Sequence, residues 1–349
     1  RLEDIMVKHL QILCCVLVLV IFLAGCSQPE PVDLPPVEPV TVIFDDDGSP
    51  DGTTALLYLL NIPQVKLAAV SISYGEAYPE VYIQHIGRVL DGFGITGIPL
   101  GYGQDHPLAG NNAFPESVRD ASNGFWGISI PNMEKTYATS PAPELFVSLL
   151  NQSAEPVSVL VSGPLTNMAQ ALRLDPGIKE KISGITIMGG AVSVPGNIQG
   201  LQPESANASA EWNIFADPQA ASEVFTAGIP LYLVPLDATN QVTITRKDIR
   251  DWSDGGPAAD LAEEIYSMTF DRWGMQETDI WDLMTAVVML NPSLCEYQPM
   301  RLEVITDAGD HNGQTVAIAE GEPNVQVCLE PDAEMIKATL TEVFRASGQ

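Results

Sequence analysis

Basic residues are scarce in this chain: 16 Lys and Arg stand against 45 Asp and Glu, for a net charge of −29. Such a field repels phosphate backbones, which excludes nucleic acid as a partner and favours hard cations such as calcium. Histidine is rare as well, four residues in all, and no Cys/His grouping has the spacing of a zinc site. Of the five cysteines, Cys14, Cys15 and Cys26 lie near the amino terminus. Cys295 and Cys328 remain, and the sequence leaves open whether they form one disulfide or two separate core thiols. The apolar run from Ile12 to Leu23 is shorter than the roughly 20 residues a membrane-spanning helix needs. Short-period repeats are also missing.

What is present is enough apolar material for a folded protein. The 349 residues are 46% hydrophobic and 17% charged, which suits one large α/β domain or two small ones. Lys8 and His9 precede the Ile12–Leu23 run, which has the length of a signal-peptide core. It ends in Leu23-Ala24-Gly25-Cys26, which resembles the bacterial lipoprotein processing site. That resemblance implies a signal peptide over residues 1–25, lipid on Cys26, and an extracytoplasmic protein held to a bacterial membrane. Residues 26–40 carry Pro29, Pro31, Pro35, Pro36 and Pro39 and read as a stiff tether, leaving 41–349 as the folded domain.

Within that domain apolar runs alternate with helical segments. Strands are expected at Val40–Phe44, Lys66–Ser71, Ile98–Leu100, Val157–Val161, Ile182–Met188 and Pro230–Val234. The alternation predicts a single α/β domain with a mostly parallel, open twisted sheet flanked by helices. Ser49-Pro50 and Asp217-Pro218 read as helix starts, each a capping residue followed by Pro. At the carboxyl end, Arg301–Thr306 and Thr315–Ala319 predict a hairpin, followed by a strand through Val325–Cys328 and a helix from about Asp332 to Phe344.

The densest chemistry lies where the first strand ends. Asp45, Asp46, Asp47 and Asp51 put four carboxylates into seven positions between a buried strand and a helix start. Like charges crowded this way raise one another's pKa, so the arrangement is costly unless a cation or a polar ligand sits among them. The carboxyl end of a strand in an open α/β sheet is also where such folds bind ligands.

Seven motifs, in order, resemble the inosine-uridine-preferring nucleoside hydrolase family. They are Asp45-Asp46-Asp47-Gly48-Ser49-Pro50-Asp51-Gly52-Thr53-Thr54-Ala55-Leu56; Ala142-Pro143-Glu144-Leu145; Ser162-Gly163-Pro164-Leu165-Thr166-Asn167; Met188-Gly189-Gly190-Ala191 with Gly196-Asn197; Ala210-Glu211-Trp212-Asn213-Ile214 with Asp217-Pro218; Pro235-Leu236-Asp237-Ala238-Thr239; and Trp281-Asp282-Leu283. The resemblance implies calcium-dependent cleavage of the N-glycosidic bond of a ribonucleoside. Asp47 would ligate calcium and take a proton from the attacking water, with the Ser162 carbonyl and the Asp282 carboxylate completing the metal site. Asp51, Asn197, Glu211, Trp212 and Asn213 would line the sugar, with Met188 beneath it. A hard cation with six to eight oxygen ligands suits that donor set.

Three positions depart from the family pattern. Gly52 stands where the family has a second calcium-binding Asp, a loss that weakens calcium unless Asp45, Asp46 or extra waters compensate, and an acid restored by Gly52→Asp is expected to tighten calcium. Glu76 stands where the family usually has Asn, as a ribose acceptor, a ligand to the cation or a solvated surface residue. Trp281 occupies the place where some members carry a leaving-group His, which resembles the purine-preferring subgroup and implies stacking on a purine. Phe125 and Trp126, in a glycine-bounded loop, are candidates for the base's other face, while His85, His106 and His311 read as surface residues. Two rivals follow from the same features: a nucleoside- or sugar-binding lipoprotein, which predicts two similar lobes, and a family member impaired by Gly52. Whether identical subunits assemble is left open.

Overall fold

The computed structural model describes residues 37–252 and 255–346. The expected signal peptide, Cys26 and the tether up to residue 36 lie outside them. The described chain begins with β1 (Val40–Asp46), β2 (Val65–Ile72), β3 (Leu100–Tyr102) and β4 (Ser140–Pro141). There follow β5 (Val157–Val161), β6 (Ile182–Met188) and β7 (Leu231–Val234), then a small antiparallel pair, β8 (Thr243–Thr245) with β9 (Glu277–Asp279). The last strands are β10 (Cys295–Met300), β11 (Leu302–Val304), β12 (Thr315–Ala317) and β13 (Val325–Pro331). Nine of them form one sheet in the order β10-β13-β7-β6-β5-β1-β2-β3-β4, parallel throughout except where β10 meets β13. Helices pack on both faces, as the alternation of strand and helix in the sequence predicts, and no second lobe stands beside the sheet among the described residues.

β1 shows why. From Val42 onward it is buried on both faces, so it reads as a continuous apolar run, yet successive side chains still point opposite ways. Val42 and Phe44 enter the core beneath the helix Pro50–Leu60, and Ile43 enters the core beneath the helix Ala142–Gln152. That alternation sends Asp45 and Asp46, the next two residues, to different neighbours. The chain winds from β1 outward through β2, β3 and β4, then returns to add β5, β6 and β7 on β1's other side. The order therefore reverses between β1 and β5, and a crevice opens at their carboxyl ends.

Both expected helix starts form. Ser49 caps the helix Pro50–Leu60 by accepting from Gly52 N–H, and Asp217 caps the helix Pro218–Phe225 by accepting from Ala220 N–H. β5 and β6 fall where the sequence places them, whereas the strand expected at Ile98–Leu100 is displaced to Leu100–Tyr102. The tail pair forms as β11 and β12, in a small sheet of its own, and the last helix runs Ala333–Ala346. Cys295 and Cys328 are joined by a disulfide that ties β10 to β13, which resolves the open alternative.

Two expectations are corrected by burial. His85 is not a surface residue: it is 4% exposed, its Nε2 lies 2.7 Å from the Asn123 carbonyl, and its ring meets Tyr82 edge-on. Phe125 and Trp126 are buried against Tyr82 in the core, so they do not offer a face to a nucleobase. Among the described residues no helix is long and apolar enough to cross a membrane.

Candidate active site

Asp45 points into the sheet's second face, where Ser71 and Asn167 donate to its Oδ1 at 2.6 and 2.9 Å. Burial pushes its carboxyl up to about 7 in spite of those two bonds, and its Oδ2 has no partner among the described residues. Asp46 faces the other way. Its Oδ1 accepts from Ser162 Oγ at 2.9 Å and its Oδ2 from Gly48 N–H at 2.9 Å, and burial again pushes it up to about 7.

Asp47 follows, at the floor of the β1–β5 crevice. A Cβ at Gly75 would lie 2.2 Å from its Oδ2, and one at Gly163 would lie 2.6 Å from its Cβ, so both walls of its slot must be glycine. Glu76 N–H donates to Oδ2 at 3.2 Å, and Oδ1 accepts no hydrogen bond among the described residues. Burial, then the charges of Glu76 and Asp46, hold this carboxyl well above its usual range.

Asp51 and Asp282 close the crevice from the helical side. Asp282 N–H donates to Asp51 Oδ2 at 2.6 Å, while Asp51 Oδ1 accepts from Tyr266 Oη. Ser49 Oγ donates to Asp282 Oδ2 at 2.7 Å while accepting from Gly52 N–H at 2.6 Å, so one hydroxyl caps a helix and orients an acid 233 residues away. Burial leads the upward shifts of Asp51, to about 6, and of Asp282, well above its range; the charges of Asp51, Asp46 and Asp47 add to the latter. Glu76 is drawn up to about 8 by burial and by Asp46 and Asp51.

The sugar-lining candidates gather at the ends of β5 and β6. Glu211 is buried and accepts from the N–H groups of Gly190, Asn213 and Ile214, which caps the helix Trp212–Ala216 and ties it to the turn after β6. Asn213 Nδ2 reaches the Met188 carbonyl at 3.2 Å and the Ser162 carbonyl at 3.4 Å, bridging the two strands. Asn197 Oδ1 accepts from Trp212 N–H at 3.0 Å. Trp212 itself is buried, stacked on Phe114 with centroids 4.5 Å apart, and its indole N–H has no partner among the described residues. Trp281 is partly exposed and shares an apolar cluster with Met188, Ala191 and Leu236.

Several residues act here that sequence reasoning did not assign to the site. Ser71 and Asn167 hold Asp45, Tyr266 holds Asp51, and Asp237 accepts from the N–H groups of Val192 and Ser193 at 2.8 and 2.7 Å, fixing the loop after β6. Asn167 and Asp237 lie inside the recognised motifs, which was signal enough. Tyr266 sits mid-helix with no motif around it, and only the fold brings it to Asp51.

The donor set suits a hard cation: carboxylates and a backbone carbonyl, unpaired by any Lys or Arg among the described ion pairs. Among the described residues, however, no three acidic, His or Cys side chains close around one point as a finished cage. The carboxyls feel one another's charge without yet converging.

A sheet whose reversal point carries a buried acidic crevice defines a ligand-binding α/β fold. The chain matches the inosine-uridine preferring nucleoside hydrolase family over residues 42–338 and belongs to that family. It is 32% identical over 305 residues to the pyrimidine-specific ribonucleoside hydrolase RihA of Klebsiella pneumoniae, covering 84% of this chain and 94% of that one. Among solved structures it resembles the inosine-uridine preferring nucleoside hydrolase of Bacillus anthracis, with a TM-score of 0.74 and 27% identity over 88% of this chain and 99% of that one. It also resembles a plant nucleoside hydrolase, PpNRh1, with a TM-score of 0.77 and 25% identity over the same shares. The protein is thus a ribonucleoside hydrolase, an N-glycosidase, and the solute-binding reading is set aside.

Proposed function

We propose that the protein hydrolyses purine ribonucleosides to ribose and free base with calcium, from the outer side of a bacterial membrane. The observation that carries the catalytic part is that Asp47 and Asp282, from distant parts of the chain, belong to one buried and mutually repelling group of carboxyls, tied through Asp46 to Ser162, whose carbonyl accepts from Asn213. Asp47, Asp282 and that carbonyl would hold calcium, which supplies positive charge that makes a nearby water easier to deprotonate.

The chain's own residues do the rest. Asp47 takes the water's proton, and its Oδ1 is the oxygen left free of hydrogen bonds among the described residues. Asp51, Glu76, Asn197, Glu211 and Asn213 offer acceptors and an amide to the ribose hydroxyls, which fixes the ring for attack. Trp212, packed on Phe114, serves as a rigid wall for that pocket. As the bond to the base breaks, positive charge builds on the sugar, and the surrounding carboxylates stabilise it. Met188 forms an apolar floor, and Trp281 beside it offers a face on which a purine stacks as it departs.

Pyrimidine preference is the second reading, favoured by the name of the Klebsiella relative. Free ribose measured with inosine, adenosine, uridine and cytidine, each with calcium and with chelator, tests both. A higher kcat/KM for the purines and loss of turnover on chelation are expected. Ribose from no nucleoside in either condition overturns the proposal, and a preference for uridine and cytidine replaces its purine part.

Export is supported by the sequence before Cys26 and by the Cys295–Cys328 disulfide, since such bonds persist in oxidising compartments. Labelling with a fatty-acid analogue should mark the wild type and spare Cys26→Ser.

A further inference from the structure

Gly52 removes a carboxylate from the first turn of the helix Pro50–Leu60, and the structure shows what fills the gap. A Cβ built on Gly52 would lie 1.7 Å from Oδ1 of Asp46 and 2.4 Å from its Cγ. The carboxyl of Asp46 therefore occupies the spot where a side chain of residue 52 would begin. It arrives there because β1's alternation turns residues 42, 44 and 46 toward that helix, while Asp45 turns away to Ser71 and Asn167. Ser162 Oγ and Gly48 N–H hold it in place from two sides. Ser162 is also the residue whose carbonyl accepts from Asn213 Nδ2 at 3.4 Å.

We propose that Asp46 supplies the cation with the carboxylate that Gly52 cannot, so that the acid has moved from the helix's first turn to the end of the strand and the oxygen ligands are Asp46, Asp47, Asp282 and the Ser162 carbonyl. The inference rests on the calcium reading above and adds a ligand to it. It also makes the two positions mutually exclusive, because an acid at 46 and any side chain at 52 claim the same space. The expectation that Gly52→Asp alone tightens calcium is thereby reversed.

The test is calorimetric titration of chelator-treated protein with calcium chloride, with circular dichroism as a check on folding. The wild type binds calcium, and Asp46→Asn, which keeps the side chain's shape, weakens binding about tenfold or more. Gly52→Asp alone weakens binding as well, since two acids are forced into one space. The double variant Asp46→Ala/Gly52→Asp recovers affinity to within about threefold of the wild type, with the acid restored at 52 and room made for it. Unchanged affinity in folded Asp46→Asn overturns the inference and leaves the calcium reading standing, as does tighter binding in Gly52→Asp alone. A wild type that binds no calcium overturns both.

Discussion

At the β1–β5 crevice, Asp46, Asp47, Asp51, Glu211 and Asp282 are buried without a single Lys or Arg paired to them among the described residues. At the far edge of the same sheet, β10 and β13 are joined by a ladder of hydrogen bonds and a covalent bridge. The middle of the sheet concentrates repulsion and one edge concentrates restraint. This fold tolerates poor internal energetics at the rim a ligand can complete, with stability drawn from elements that never touch it.

Four variants test that contrast. The largest effect is expected from Asp47→Asn, which should lower kcat by about a thousandfold, or about 4 kcal/mol of barrier, while the melting temperature of the chelated protein holds or rises because one repelling carboxyl is gone. Ribose release and a thermal melt in chelator check the two halves separately. Next comes Cys295→Ser with Cys328→Ser: a bridge between residues 33 apart should contribute about 3.5 kcal/mol, seen in denaturant unfolding, with kcat within about twofold of the wild type. Trp281→Ala should lower kcat/KM for inosine about tenfold, about 1.4 kcal/mol, and affect uridine less, which steady-state kinetics on both will show. Smallest is Phe125→Leu, which should cost about 1 kcal/mol of stability in the same unfolding measurement and leave kcat unchanged, because that ring packs on Tyr82 rather than on substrate.

The parts of the fold that the sequence makes legible are those where burial is uniform. β5 from Val159 and β6 from Gly184 are covered on both faces and mostly apolar, so their carboxyl ends coincide with the ends of their hydrophobicity. The edges are harder. β4 is two exposed residues, and β10 carries Glu296 and Pro299 on exposed positions, so neither has an apolar pattern to read. The candidate site follows the same logic. Its acids are legible because carboxylates clustered after a strand are costly and so conspicuous. What is not legible is any contact made across the chain: Tyr266 on Asp51, Ser49 on Asp282, Cys295 on Cys328, and Asp46 over Gly52. Phe125 and Trp126 show the reverse error, since flanking glycines suggest an open loop and say nothing of the Tyr82 ring that covers them.

The crowding of Asp46 against Gly52 also bears on how such a site can change over generations. A lineage exchanging one arrangement for the other cannot do so by a single codon: its intermediate either holds no acid at the shared spot or squeezes two into it. Ancestral reconstructions of this branch should therefore find the two replacements arriving together, or separated by a form that binds its ion weakly.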